Sequence, residues 1–129
     1  MYMAQQPMRA ARSYATIDTG SRVEGATPHQ LVRVLFDELL IALDTAALAL
    51  KIGDRNRSLD RQTRALAILH ALESSLDFER GGEIAISLAT IYREVRRRML
   101  EATAANDHEA MTTARGYIAE IADAWTQIG

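Results

Sequence analysis

The chain has 129 residues and no cysteine, and its 15 basic and 17 acidic side chains leave a net charge of −2. That length supports one domain with its own core, and the composition excludes a disulfide framework, a thiol site and a whole-chain field that attracts nucleic acid. No apolar run reaches the roughly 20 residues a membrane span requires, because Asp37, Glu38 and Asp44 interrupt the longest one. No apolar stretch follows Arg9 and Arg12 as a cleavable signal peptide would need, so a soluble cytoplasmic protein without stable membrane insertion is expected.

Residues 1–26 are organised differently from the rest. Pro7, Gly20 and Gly25 punctuate scattered Ser and Thr, and Tyr2, Met3, Met8, Tyr14, Ile17 and Val23 follow no sustained period. Such a segment cannot build a core of its own, and it reads as an N-terminal arm, either disordered or laid along the body by a few apolar anchors.

Thr27, Pro28, His29 and Gln30 open the first helix with a threonine N-cap, proline in the first turn and glutamine at the third position, the pattern of a capping box. Leu31, Leu35, Leu39, Ala42, Leu43, Ala46 and Leu50 follow helical spacing up to Ile52, with Gly53 as the C-terminal stop. Val34, Leu40, Ile41 and Leu48 are apolar beyond that stripe, which marks a helix with neighbours on more than one side. Asp54 to Ser58 read as a polar connection, and a second helix is expected from Leu59 to Leu76, with Ala65, Ile68, Leu69, Leu72 and Leu76 on its stripe and Leu66 off it.

Gly81 and Gly82 are the only paired glycines between the helical patterns, and they read as the central reversal, with Glu83 in the first turn of the helix that follows. That third helix carries Ile84, Leu88, Ile91, Val95, Met99 and Ala102 at alternating steps of four and three, an a/d-like seam. Asn106 and Glu109 read as N-cap and third position of a fourth helix whose seam is Met111, Ala114, Ile118, Ile121, Trp125 and Ile128; Gly116 within it is either a close helix contact or a tolerated defect. Short connections put each helix antiparallel to the one before. The expected fold is therefore all-α, an up-down-up-down four-helix bundle over residues 27–129 preceded by the arm 1–26.

Catalytic and metal chemistry finds little footing here. None of His29, His70 and His108 has the preceding glutamate of a bundle di-metal site, and the seams offer Leu and Ile in place of carboxylates. A histidine phosphorelay bundle using His70 is the alternative reading, but Glu73 stands on the next turn, where a phosphate would want a cation. Arg93, Arg96, Arg97 and Arg98 are read as a partly salt-bridged face, and Tyr92 and Trp125 as core aromatics, with Tyr92 also able to reach a binding surface. Val34, Ile41, Leu66 and Ile86 exceed one core's needs, and surplus apolar ridges can accept a partner segment in a groove.

Joint order then adds to periodicity. Ser13 and Tyr14, the run from Ala26 through Val32, Leu35, Phe36 and Asp37, Gly53 and Asp54, Leu76 and Asp77, the run Gly81 to Ala85, Ile91 and Tyr92, Arg98 and Met99, Asn106 and Asp107, and Ala124 and Trp125 together resemble the flagellar export chaperone family that serves flagellin. The resemblance covers residues 13 to 126. Glu38, Ser87 and Glu94 depart from residues common in that family. The resemblance implies a non-enzymatic bundle, without cofactor or metal, that binds the disordered C-terminal segment of flagellin in the cytoplasm, blocks premature assembly and delivers the subunit to an export-gate component. It places partner contacts on the second and third helices, at Leu66, Leu69, Ile84, Leu88, Ile91, Tyr92 and Val95. It also gives Tyr14, and with it Ile17, a place in an N-terminal cap over the groove.

Overall fold

The computed structural model describes residues 23–128. Within them, four helices follow one another: α1 (Pro28–Ile52), α2 (Arg55–Ser74), α3 (Phe78–Ala105) and α4 (His108–Thr126). α1 packs on α2 and α4, and α3 closes the ring by packing on the same two. The all-α bundle read from the sequence is therefore the observed architecture. Its core comes from all four helices, with Phe36, Leu39 and Leu43 of α1 meeting Ile68, Leu69 and Leu72 of α2, Tyr92, Val95 and Met99 of α3, and Met111 and Ile118 of α4. Val34 joins the buried set, 4% exposed, because α1 is flanked on two sides and buries a wide arc; Ile41 and Ile86 remain on the outer surface.

The first capping box is present as read. The Gln30 backbone N–H donates to Thr27 Oγ1 at 3.1 Å, and the Thr27 N–H donates back to Gln30 Oε1 at 3.0 Å. The other three helix starts fall elsewhere than expected, for one physical reason: each is set by an aspartate N-cap immediately ahead of the helix. Asp54 caps α2, so the helix starts at Arg55 rather than Leu59 and ends at Ser74. Asp77 caps α3. Asp107, not Asn106, caps α4, its carboxylate accepting from the Ala110 N–H at 3.0 Å.

At one end of the bundle the same two-residue device serves twice. Gly53 (φ 79°) and Asn106 (φ 57°) take the left-handed conformation, and the N–H of the next aspartate reaches back to Ala49 O and Ala102 O, at 2.8 Å each. This satisfies orphan carbonyls of α1 and α3 while the aspartate side chain caps the following helix.

The paired glycines are not the reversal. The chain turns at Ser75, Leu76 and Asp77, and Gly82 lies inside α3 at φ 49°, ψ −123°, a conformation open to glycine that kinks the helix after its first turn. The inward face of α3 also differs from the expected seam. Ahead of Val95 the buried positions are Ala85, Ala89 and Tyr92, so the expected seam residue Ile84 is 72% exposed, with Leu88 and Ile91 half-buried. In α4, Met111, Ala114 and Ile118 follow the expected seam, but Ile128 lies beyond the helix and is exposed.

Gly116 is a tolerated defect: a Cβ built there meets nothing within 4 Å, and its φ is not positive. Gly116→Ala is accordingly expected to stabilise the bundle by about 0.5–1 kcal/mol, the helix-propensity difference. Urea unfolding monitored by circular dichroism reads this as a higher midpoint at unchanged slope.

Candidate functional site

Where α1 begins, α2 ends, α3 begins and α4 ends, the helices leave an open cleft of about 330 Å³. Its shape follows from residue size. The inward positions of α3 ahead of Tyr92 are the small Ala85 and Ala89, too small to fill the space against α2. Val32, Leu72, Leu76, Ile84, Ala85 and Leu88 give the cleft an apolar lining, Tyr92 and Trp125 add rings, and Ser75, Asp77, Arg80 and Gly81 complete it. Burial pushes the Tyr92 hydroxyl up to about 12, so it stays neutral, and the cleft holds no charged floor. The charges that exist are at the lining's edge, where Arg80 Nε lies 3.7 Å from Asp77 with the arginine side chain almost fully in solvent.

Trp125 is held by a reciprocal pair of contacts to the start of α1. Its indole Nε1–H donates to the His29 carbonyl at 3.1 Å, and His29 Nε2 donates to the Trp125 carbonyl at 3.1 Å; since a carbonyl only accepts, that nitrogen carries the proton. The two rings stack at 4.6 Å with an interplanar angle of 10°, and Phe36 meets the indole edge-on at 6.2 Å. This latch ties the first turn of α1 to the last of α4 and fixes one wall of the cleft.

Among the residues expected at the site, Ile84, Leu88 and Tyr92 are brought together in the cleft, with Tyr92 as a buried floor residue only 2% exposed. Leu69 and Val95 are wholly buried in the core and support the site from beneath. Leu66 and Ile91 pack half-buried against the core without lining the cleft. Tyr14 and Ile17 lie outside the described residues. The sequence reading missed Val32, Leu72, Leu76 and Trp125 as lining residues; the four-residue step from Leu72 to Leu76 opposite that from Ile84 to Leu88 was the available signal for two of them.

The basic cluster of α3 is spent internally. Arg93 and Arg96 hold Glu73 at 3.1 and 2.9 Å, and Arg97 bridges Glu94 and Glu101 at 2.6 and 2.7 Å. Arg98 pairs with Glu94 at 2.8 Å and lies 5.1 Å over the Tyr117 ring. Arg96 foremost, with Arg93, keeps the Glu73 carboxyl below its ordinary 4.5, and Arg97 foremost, with Arg98, does the same for Glu94. These arginines form the salt-bridged face read from the sequence. Glu38, a departure from the family pattern, is nearly buried and is neutralised by Arg64 at 2.7 Å. No helix among the described residues is long and apolar enough to cross a membrane.

Comparison with known proteins identifies the family. The family model described as flagellar protein FliS matches residues 10–129. The flagellar secretion chaperone FliS of Salmonella typhimurium is 39% identical over 118 residues, covering 91% of this chain and 87% of that protein. Its counterpart in Escherichia coli is 32% identical over 120 residues, with coverage of 92% and 88%, and that of Bacillus subtilis is 30% identical over 105 residues, with coverage of 81% and 77%. The phosphorelay alternative at His70 gains no support from any of these relatives. With a four-helix bundle, a matching family model over nearly the whole chain and relatives of this identity, the chain belongs to the FliS family of flagellar secretion chaperones.

Proposed function

We propose that this protein is a non-enzymatic cytoplasmic chaperone whose cleft takes the disordered C-terminal segment of flagellin. It thereby keeps the subunit from polymerising prematurely and presents it to an export-gate component of the flagellar secretion system. Ile84 carries the reading: a large apolar side chain 72% exposed beside an apolar cleft forgoes the roughly 1.5–3 kcal/mol its burial would contribute, and an incoming apolar segment supplies that burial. A segment that orders on binding spends part of the gain on lost entropy, so a few anchors decide affinity. Calorimetric titration of a flagellin C-terminal peptide into the protein is expected to give one site and a negative heat-capacity change, and the fluorescence of Trp125, the single tryptophan, should shift with the same midpoint. Binding that leaves the Trp125 signal unchanged counts against the cleft.

The arm belongs to the same proposal. Tyr14 and Ile17 cap the cleft of the free chaperone and yield to flagellin. In support, α1 begins at Pro28 and Val32, about one turn on, lines the cleft, so the arm joins the body at that end and its anchors are tethered there at high effective concentration. A cap closed most of the time lowers apparent affinity by the open fraction. Deleting residues 1–19 is therefore expected to raise peptide affinity several-fold and to increase light scattering by the free protein. Unchanged or weaker binding without added scattering would show that the arm contacts partners instead.

A further inference from the structure

The opposite end of the bundle carries a second exposed surface, at the corner where α1 ends and α2 begins. Leu48 and Ile52, one turn apart on α1, are 56% and 66% exposed, and α2 adds Leu59. Lys51 stands beside the first two, Arg55 lies one turn before Leu59, and Arg57 lies in the same first turn of α2, all in solvent. Every arginine from Arg61 to Arg115 faces a carboxylate within ion-pair distance. Lys51, Arg55 and Arg57 have no ion-pair partner among the described residues. The one acid in this stretch, Asp54, is turned to the backbone, where it accepts the Arg57 N–H at 3.1 Å. Cations are thus left free next to exposed aliphatic side chains, on a chain whose net charge is −2.

We propose that this corner docks an acidic amphipathic segment of a partner protein, whose apolar side chains cover Leu48, Ile52 and Leu59 and whose carboxylates face Lys51, Arg55 and Arg57. Charge complementarity selects this occupant. A second copy docked corner to corner would oppose the same three cations to themselves, which like-charge repulsion disfavours. An anionic bilayer is the other surface such cations could meet, and the vesicle measurement below separates it from a peptide. The corner lies at the other end of the helices from the cleft, so both can be filled at once.

The test uses the full-length protein and two fluorescein-labelled helical peptides of about 18 residues, identical in their leucine stripe and carrying either glutamate or lysine on the remaining face. The glutamate peptide should bind about tenfold tighter than the lysine peptide, the size expected of three exposed charge pairs acting together. Lys51→Glu with Arg55→Glu and Arg57→Glu should reverse that preference. Leu48→Ser with Ile52→Ser should weaken the glutamate peptide about tenfold, and Ile84→Asp, in the cleft, should leave it unchanged; circular dichroism confirms that these surface variants keep the fold. Equal affinity for the two peptides, binding of neither, or loss of glutamate-peptide binding on Ile84→Asp overturns the proposal. So does corner-dependent adsorption to phosphatidylglycerol vesicles without glutamate-peptide binding.

Discussion

Ile118→Asp is expected to leave the chain without a cooperative folded state. Ile118 has no exposed surface and belongs to the single core that all four helices share. Removing its side chain alone costs a few kcal/mol, as large-to-small core changes do. The carboxylate then has to be either buried charged without a partner or protonated at a cost in free energy. Together these exceed about 5 kcal/mol, against a total stability on the order of 5–15 kcal/mol for a domain of this kind. Circular dichroism should show a shallow, non-cooperative melt with much of the helical signal lost, while Ile118→Val should cost only about 1 kcal/mol. A cooperative transition within a few degrees of the parent protein would contradict the placement of α4 in the core.

Ile84→Asp is expected to separate binding from folding. The side chain is largely exposed in the free protein and lies on the cleft, so its loss removes almost no native packing, and the thermal midpoint should stay within a degree or two. In the complex the same position would bury a carboxylate against an apolar segment. The lost burial is worth about 2 kcal/mol, which weakens binding of the flagellin peptide about 30-fold, and the charge weakens it further. Ile41→Asp, equally tolerant in folding terms because Ile41 is 55% exposed on α1, should leave peptide binding unchanged. Parallel calorimetric titrations of the two variants test this; similar losses in both would move the site away from the cleft.

The architecture was legible in the sequence because helical period, the Thr27 capping box and the glycine at position 53 all point the same way. Helix starts were harder, since an aspartate followed by polar residues looks like loop until the chain is known to turn there. Asp54 and Asp77 each cap a helix that begins several residues before its first apolar stripe position. The site was only partly readable. The a/d-like seam read for α3 ran through Ile84, Leu88 and Ile91 to Val95, whereas the buried positions ahead of Val95 are Ala85, Ala89 and Tyr92, which leaves Ile84 outside. Which flank of α3 meets its neighbours thus decides which residues a partner can reach, and the period alone does not reveal it. The Trp125 and His29 latch joins residues 96 positions apart, a pairing that no local pattern encodes.

The occupancy of the cleft by flagellin is tested most directly by a photo-crosslinking amino acid placed at position 84, with position 41 as the control, in full-length protein mixed with full-length flagellin. A crosslinked adduct from position 84 that disappears when flagellin lacks its C-terminal segment is expected, and none from position 41. An adduct from position 84 that survives removal of that segment, or equal adducts from both positions, would contradict it.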